Sequence, residues 1–383
     1  MVRRFDYWIR AGRRTDTFLL EFAGSPDGGR KGMYGKILKR MVMEIKKAIS
    51  NTIAAGWKGL LLLCLAAFFF GSFFVSCHIR KAYADRTLEN TFGRGETDYK
   101  RISVFFSPKS EMDREQMIML RNELTRQLGS SSSVDTEHME TVFIDAYEAK
   151  VQIPLSYQHT FLQVDASFVG GHYFDFHTMT FLRGGAFHED DSMHDGAVIS
   201  ESLAFALFGS KDCVGKTVWI EEKGIRICGV VEDRKGYDSR MANPETQKIY
   251  LPYVLTGQLS EQPEVTAYEL LLPETLDGFA LKNVDELFSV NRYDREASLR
   301  EKEIYIVEET DRFRMLPLLK TAAGLQKRMI KPVPVAFPDW ENERIIAENR
   351  MLLVYLIRFG IVVLFLFCIP GSENMAERRT RSR

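Results

Sequence analysis

With 383 residues, 45% hydrophobic and 27% charged, the chain has a globular balance that excludes disorder throughout and leaves room for one large domain or two. The formal charge of −1 conceals a polarised distribution: residues 1–58 hold thirteen Lys/Arg against five Asp/Glu, residues 371–383 hold four against two, and the middle holds 34 against 45. Basic ends around an acidic middle argue against a nucleic-acid binder, whose basic patch lies on the folded domain, and suit a membrane protein with both termini in the cytoplasm.

Residues 1–58 read as a cytoplasmic N-terminal segment. Within it, residues 36–55 place Leu38, Val42, Ile45, Ile49 and Ile53 at helical spacing against Lys36, Lys39, Arg40, Lys46 and Lys47. That is the pattern of a basic amphipathic helix lying on membrane lipid. Residues 59–77, GLLLLCLAAFFFGSFFVSC, carry no charge. At 1.5 Å per residue they cover roughly 28 Å, the thickness of a bilayer's hydrocarbon layer, and they start too deep in the chain for a signal peptide. They are the first predicted transmembrane helix.

Residues 78–350 then read as one extracytoplasmic α+β region. The pattern predicts a strand over 101–107, a helix over 111–128 capped by Ser110, and short strands over 142–145 and 161–164. Turns are expected at Gly170-Gly171 and Gly184-Gly185, followed by a short strand at 197–199. Ser200 should cap a helix that runs to Phe208 and stops at Gly209. A hairpin over 214–221 and 225–231 is expected to turn near Lys223-Gly224. A strand at 268–272, a helix over 276–300 and a strand at 303–308 follow. Residues 339–350 form a charged stalk helix entering a second apolar stretch, 351–370, the second predicted transmembrane helix. Arg358 interrupts it, facing either the outer interface or a partner helix. Residues 371–383 are a cytoplasmic basic tail.

Chemistry-bearing motifs are few. The stretch from Gly209 to Thr217 resembles a phosphate-binding loop but has five residues between its glycines and lies between a helix and a strand, the reverse of what such a loop requires. His188, Glu189, Asp190, Asp191, His194 and Asp195 make the one metal-like cluster and read as a solvated loop; His172 and His177 lie among aromatics and read as packing. In the predicted hairpin register Cys228 falls opposite Val218, about 16 Å along the strand from Cys213, too far for a disulfide, so both are expected to be free thiols. No catalytic, cofactor-binding or metal residue is assigned, no cofactor is expected, and the chain is not read as an enzyme.

Three runs of residues carry a resemblance: FVGGHYFDFHTMTFLRGGAF from Phe168, AVISESLAFALFG from Ala197 and VGKTVWIEEKGIRICGVVED from Val214. Their order and spacing resemble the extracytoplasmic core domain of MacB/FtsX-type ABC transporter permeases, and the stalk from Trp340 into the second apolar stretch is similar to the same family. The resemblance implies an α+β extracytoplasmic domain of two subdomains flanked by two transmembrane helices. It also implies a multi-pass protein of the cytoplasmic (inner) membrane with its central domain periplasmic. It implies a permease-type subunit, or a fragment of one, that transmits ATPase-driven movement outward. Its partners would be a separate ABC ATPase subunit, membrane lipid and a second permease copy in a homo- or heterodimer, with no nucleic acid.

The chain departs from the family after residue 370. Similar permeases continue into a cytoplasmic helix that engages the ATPase and then into two further spans, whereas this sequence stops at Arg383, so a truncated or split permease is expected. A two-span sensor or binding protein that kept the fold without motor coupling is the alternative. A membrane-tethered hydrolase would require the His188–Asp195 cluster to bind metal.

Overall fold

The structure, a computed structural model, describes Met43 and residues 57–83, 87–93, 98–107, 110, 112–130, 143–188, 194–242, 247–260, 262–288, 304–310, 312–315, 317–318 and 337–368. The amphipathic helix expected over 36–55 and the basic tail lie outside the described residues, Met43 apart. The chain divides into two units, Met1–Gly71 with Gly360–Arg383, and Ser72–Phe359.

Within the first unit the described residues are almost entirely parts of two helices, α1 (Trp57–Tyr83) and α8 (Asp339–Cys368). Leu60, Phe68 and Phe70 point outward, with Phe68 72% exposed, as hydrocarbon favours and water does not. Among the described residues one helix, Leu60–Tyr83, is long and apolar enough to cross a membrane, with a mean hydropathy of 2.4; the predicted span 59–77 lies inside α1. The predicted span 351–370 begins inside α8 and ends outside the described residues.

The second unit is built on one mixed sheet. In chain order its remaining elements are α2 (Thr87–Gly93), β1 (Tyr99–Phe106), α3 (Arg114–Ser130), β2 (Ile144–Tyr157), β3 (Thr160–Gly171), α4 (Tyr173–Phe176), β4 (Phe181–Gly184), β5 (Gly196–Ser200), α5 (Glu201–Phe208), β6 (Thr217–Ile220), β7 (Lys223–Val231), α6 (Tyr237–Ala242), β8 (Lys248–Pro252), β9 (Ala267–Pro273), α7 (Phe279–Phe288) and β10 (Ile304–Glu308). The strands run in the order β10-β1-β9-β2-β3-β8-β5-β7-β4, with β6 bridging β2 and β7. β3–β8 and β5–β7 are parallel and the other pairings antiparallel. The expected pair of subdomains is therefore not built on two sheets: all ten described strands belong to one.

The long β2–β3 hairpin, paired from Ala146↔Gly171 to Tyr157↔Thr160, holds that sheet together. The alternation of side chains along its strands separates two unlike faces. Ile102, Val104 and Phe106 of β1, Ala149, Ile153 and Leu155 of β2, Ala166 and Phe168 of β3, and Tyr268, Leu270 and Leu272 of β9 point into the main core, closed by Leu124 and Leu128 of α3, Leu203 of α5 and Val284 of α7. The intervening positions, Arg101, Ser103, Glu148, Asp165, Ser167 and Glu269, are polar and nevertheless buried. Covering such a face requires a partner as polar as the face itself.

Several local expectations shift. Asp113, rather than Ser110, caps α3, its Oδ1 accepting from the Gln116 N–H at 2.8 Å; Ser110 sits in a short 3-10 turn bonded back to Ser107. Ser200 caps α5 through the Leu203 N–H, and Gly209 closes it at φ +66°. In the β6–β7 hairpin Val218 pairs with Ile225, not Cys228, and the turn lies at Glu221, which takes φ +53°. Cys213 and Cys228 are free thiols, although the register used to separate them was off by three. The helix expected over 276–300 is described from Phe279 to Phe288, with 289–303 outside the described residues.

Gly184 ends β4 at φ +66°, and a Cβ there would collide with the Cys228 carbonyl oxygen. Both the left-handed backbone and the close approach require glycine. Gly184→Ala is expected to cost about 2–3 kcal/mol, read as a lower denaturant midpoint; an unchanged midpoint would mean that β4 does not pair with β7 as described.

Candidate functional site: the stalk–sheet clamp

The first three turns of α8 cover the polar face of the sheet, and every turn brings charge to it. Asp339 accepts from Lys150 Nζ at 2.9 Å and from Lys248 Nζ at 2.7 Å, while Lys150 also lies 3.2 Å from Asp165. These tie α8 to β2, β3 and β8. Burial alone would raise the Asp339 pKa, but the two lysines outweigh it and hold the carboxyl below its ordinary value. An acid in the first turn also complements the helix dipole.

Trp340 follows. Its Nε1–H donates to Glu148 Oε2 at 2.8 Å, a buried carboxylate that also accepts from Ser167 Oγ at 2.7 Å and the Tyr173 hydroxyl at 3.3 Å. The indole packs on Phe105 and His177, with ring centroids 5.5 and 4.8 Å away, and the Arg344 guanidinium carbon lies 4.8 Å from its ring centre. His177 forms a very short contact with Glu269 in which both side chains are 3% exposed. Burial would raise the Glu269 pKa; His177, Arg344 and Arg101 more than reverse that and lower it.

The densest cluster surrounds Arg312, only 5% exposed. Its Nε donates to Glu348 at 2.7 Å, its Nη1 to Glu309 at 2.8 Å and Glu341 at 2.7 Å, and its Nη2 to Glu341 at 2.9 Å. Arg344 stands 3.4 Å from Glu309. Burial would push the Glu309 pKa up, but Arg312 and Arg344 hold it down at about 2, and the surrounding carboxylates push Arg312 well above its ordinary value. Two residues beyond Glu348, Arg350 makes two 2.6 Å bonds to Asp238, which also accepts from the Tyr83 hydroxyl of α1 at 3.0 Å.

A cleft of about 1190 Å³ opens beside this clamp, lined by the end of α1, α2, α4, the 231–240 segment and α8. Among the described residues no group of three or more His, Cys, Asp or Glu could hold a metal; Glu189, Asp190 and Asp191 of the acidic loop lie outside them. The loop from Gly209 to Thr217 runs from the end of α5 into β6, with Lys216 Nζ over the Phe208 ring at 4.7 Å. His172, expected in aromatic packing, is instead exposed and 2.9 Å from Asp175. The geometry is suited to holding a helix in one rotation and one register: buried ion pairs with several hydrogen bonds each tolerate no slippage.

The buried carboxylates also set a pH dependence. Groups held below their usual pKa bind fewer protons folded than unfolded, so their stabilisation is complete above the ordinary value of 4.5 and is lost as pH falls toward about 2. The denaturant midpoint is expected to be level from about pH 7 to about pH 5 and to fall steadily below that. A midpoint still level near pH 3 (roughly) would contradict the clamp.

None of the clamp residues was singled out as a site residue from sequence. Two signals were available: polar positions at period two within β2, Glu148 and Lys150, and Glu341, Arg344 and Glu348 on one face of the stalk.

Residues 96–282 match the family model described as the MacB-like periplasmic core domain. Over 128 residues the chain is 24% identical to the macrolide export ATP-binding/permease protein MacB of Shigella dysenteriae serotype 1, covering 32% of this chain and 19% of that protein; the match thus spans about a fifth of the relative's length. Similar solved structures include the periplasmic region of MacB from Actinobacillus actinomycetemcomitans (16% identity, TM-score 0.38, 64% of this chain and 99% of that one). The extracellular domain of the noncanonic ABC-type transporter YknZ from Gram-positive bacteria is another (15% identity, TM-score 0.35, 54% and 99%). Glu309, Arg312 and all of α8 lie beyond the matched residues.

Proposed function

We propose that this chain, whose residues 96–282 match the model of the MacB-like periplasmic core domain, works as a permease-type subunit of an ABC transporter, passing the movement of a separate ATPase to the domain outside the membrane. In this reading residues 1–58 and 371–383 are cytoplasmic, 59–77 and 351–370 cross the inner membrane, and two permease copies act together. The observation that carries it is the continuity of α8. One uninterrupted helix runs from Asp339 to Cys368, and its first three turns are bonded to the sheet through Asp339 and Trp340 and to Arg312, just beyond β10, through Glu341 and Glu348. A displacement of its apolar end is then carried into the sheet, because slipping would break several buried ion pairs together.

The test is co-purification of the detergent-solubilised chain with ABC ATPases of its own organism, beginning with any encoded beside it. A stable complex that hydrolyses ATP, where the chain alone does not, is expected; failure with every such ATPase would overturn the reading. The cleft of about 1190 Å³, large enough for a small ligand, favours a second reading as a sensor or binding protein. That reading requires a ligand that stabilises the full chain with no dependence on any ATPase.

A further inference from the structure

Two guanidiniums where α1 and α8 pack together have no carboxylate partner among the described residues. Arg80 of α1 donates through Nη2 to the Tyr355 hydroxyl at 2.7 Å. Arg358 of α8 donates to the hydroxyls of Ser72 at 3.0 Å and Ser76 at 2.8 Å, and its guanidinium carbon lies 3.9 Å from the Phe73 ring centre and 5.4 Å from that of Tyr355. By contrast Arg121, Arg234, Arg312 and Arg350 each meet an acid.

Ser72, Ser76 and Arg80 are spaced by four and so share one face of α1. Opposite them stand Arg358 and Tyr355, and the packing continues through Ile79, Met351 and Ala347. Hydroxyls and ring faces solvate a guanidinium without neutralising it. Ser72 and Ser76 belong to the uncharged run 59–77, so Arg358 sits about one turn inside the apolar layer and Arg80 just beyond its edge. An arginine at that depth costs a few kcal/mol unless its head reaches the interface or meets a counter-charge. Leu356 and Phe359, its sequence neighbours, are 57% and 69% exposed, and thus turn an apolar surface, suited to an acyl chain, outward from the same stretch of helix.

We infer that Arg80, Arg358 and Tyr355 form a binding site for the phosphate of an anionic phospholipid in the outer leaflet. Two guanidiniums supply the donors a phosphate accepts best: Arg80 lies at the edge of the apolar layer, and Arg358, one turn inside it, has the long stem that lets a guanidinium reach toward headgroup depth. The site rests on the reading of α1 and α8 as membrane helices.

The test reconstitutes the full chain in nanodiscs of phosphatidylcholine alone or with phosphatidylglycerol added, and reads retained lipid by native mass spectrometry beside the thermal midpoint. The wild type is expected to retain phosphatidylglycerol and to melt higher in its presence. The Arg80→Gln/Arg358→Gln variant should lose that retention several-fold and lose the shift. Lys81→Gln, which removes an exposed charge of the same segment, should keep both, and Arg358→Lys should keep part of the retention. Equal retention by wild type and the double variant would overturn the site. A shift reproduced by inorganic phosphate in phosphatidylcholine discs would overturn its assignment to lipid. A chain that does not enter nanodiscs would overturn the membrane reading as well, whereas insertion without selectivity for phosphatidylglycerol would overturn this inference alone.

Discussion

Replacing Arg312 with methionine is expected to cost about 3–5 kcal/mol of folding free energy, a fall in Tm of roughly 6–20 °C. The side chain makes hydrogen-bonded ion pairs to Glu309, Glu341 and Glu348, all three 9% exposed or less. Methionine fills much of the same space, so packing contributes little to the loss. What remains is three carboxylates out of water that have lost their shared guanidinium, with Arg344 still 3.4 Å from Glu309. Breaking a buried pair costs more than the pair itself contributes, because the abandoned charge keeps its desolvation penalty. Adding Glu309→Gln and Glu341→Gln to Arg312→Met should therefore restore part of the lost stability, a non-additivity that distant substitutions do not show. Thermal denaturation of the solubilised chain reads both effects, and a loss under about 1 kcal/mol for the single variant would mean that Arg312 is solvated rather than clamped.

Trp340→Ala carries the second large effect, about 3–5 kcal/mol from the lost volume, with a further contribution because Glu148 loses a donor. Trp340→Phe separates the two. It keeps an aromatic ring against Phe105 and His177 but removes the Nε1–H, leaving Glu148 with Ser167 and Tyr173 alone; about 1–3 kcal/mol is expected. If ring packing alone mattered, Trp340→Phe would be nearly neutral. If the proposed pairing with an ABC ATPase holds, Trp340→Ala should also weaken coupling between ATP hydrolysis and any response of the outer domain, since it removes the contact that fixes the first turn of the stalk.

Where a single local rule decides the outcome, the sequence is legible. Ser200 and Gly209 bound α5 as their chemistry demands, and the apolar run 59–77 lies within one helix. The three motif runs around residues 168–233 point to the domain that the family model recovers. What is not legible is the covering of the polar face of β2 and β3. Polar Glu148, Lys150, Asp165 and Ser167 alternate with apolar residues, the pattern of a strand with one solvated face, whereas here that polar face is covered. Glu148 and Lys150 are tolerated inside because Trp340 and Asp339, 192 and 189 positions away in sequence, supply their partners, and they in turn hold Ser167 and Asp165. No window of sequence contains both halves of such a pair. The hairpin register differs for a smaller reason: Glu221 adopts a left-handed conformation that its residue type does not advertise, whereas the sequence pattern points to the nearby glycine as the turn.

The central claim is that the stalk and the sheet move as one piece. It is tested most directly by electron–electron distance measurements on the full chain with the ABC ATPase that the proposed function requires, using spin labels carried by unnatural amino acids at positions 161 and 353. Phe161 on β3 is 76% exposed and Leu353 on α8 is 56% exposed, so neither label disturbs the clamp. The account predicts a single narrow distance distribution that stays the same when ATP binds and broadens in Trp340→Ala. A distribution that is already broad in the otherwise unaltered chain, or that shifts when ATP binds, would contradict it.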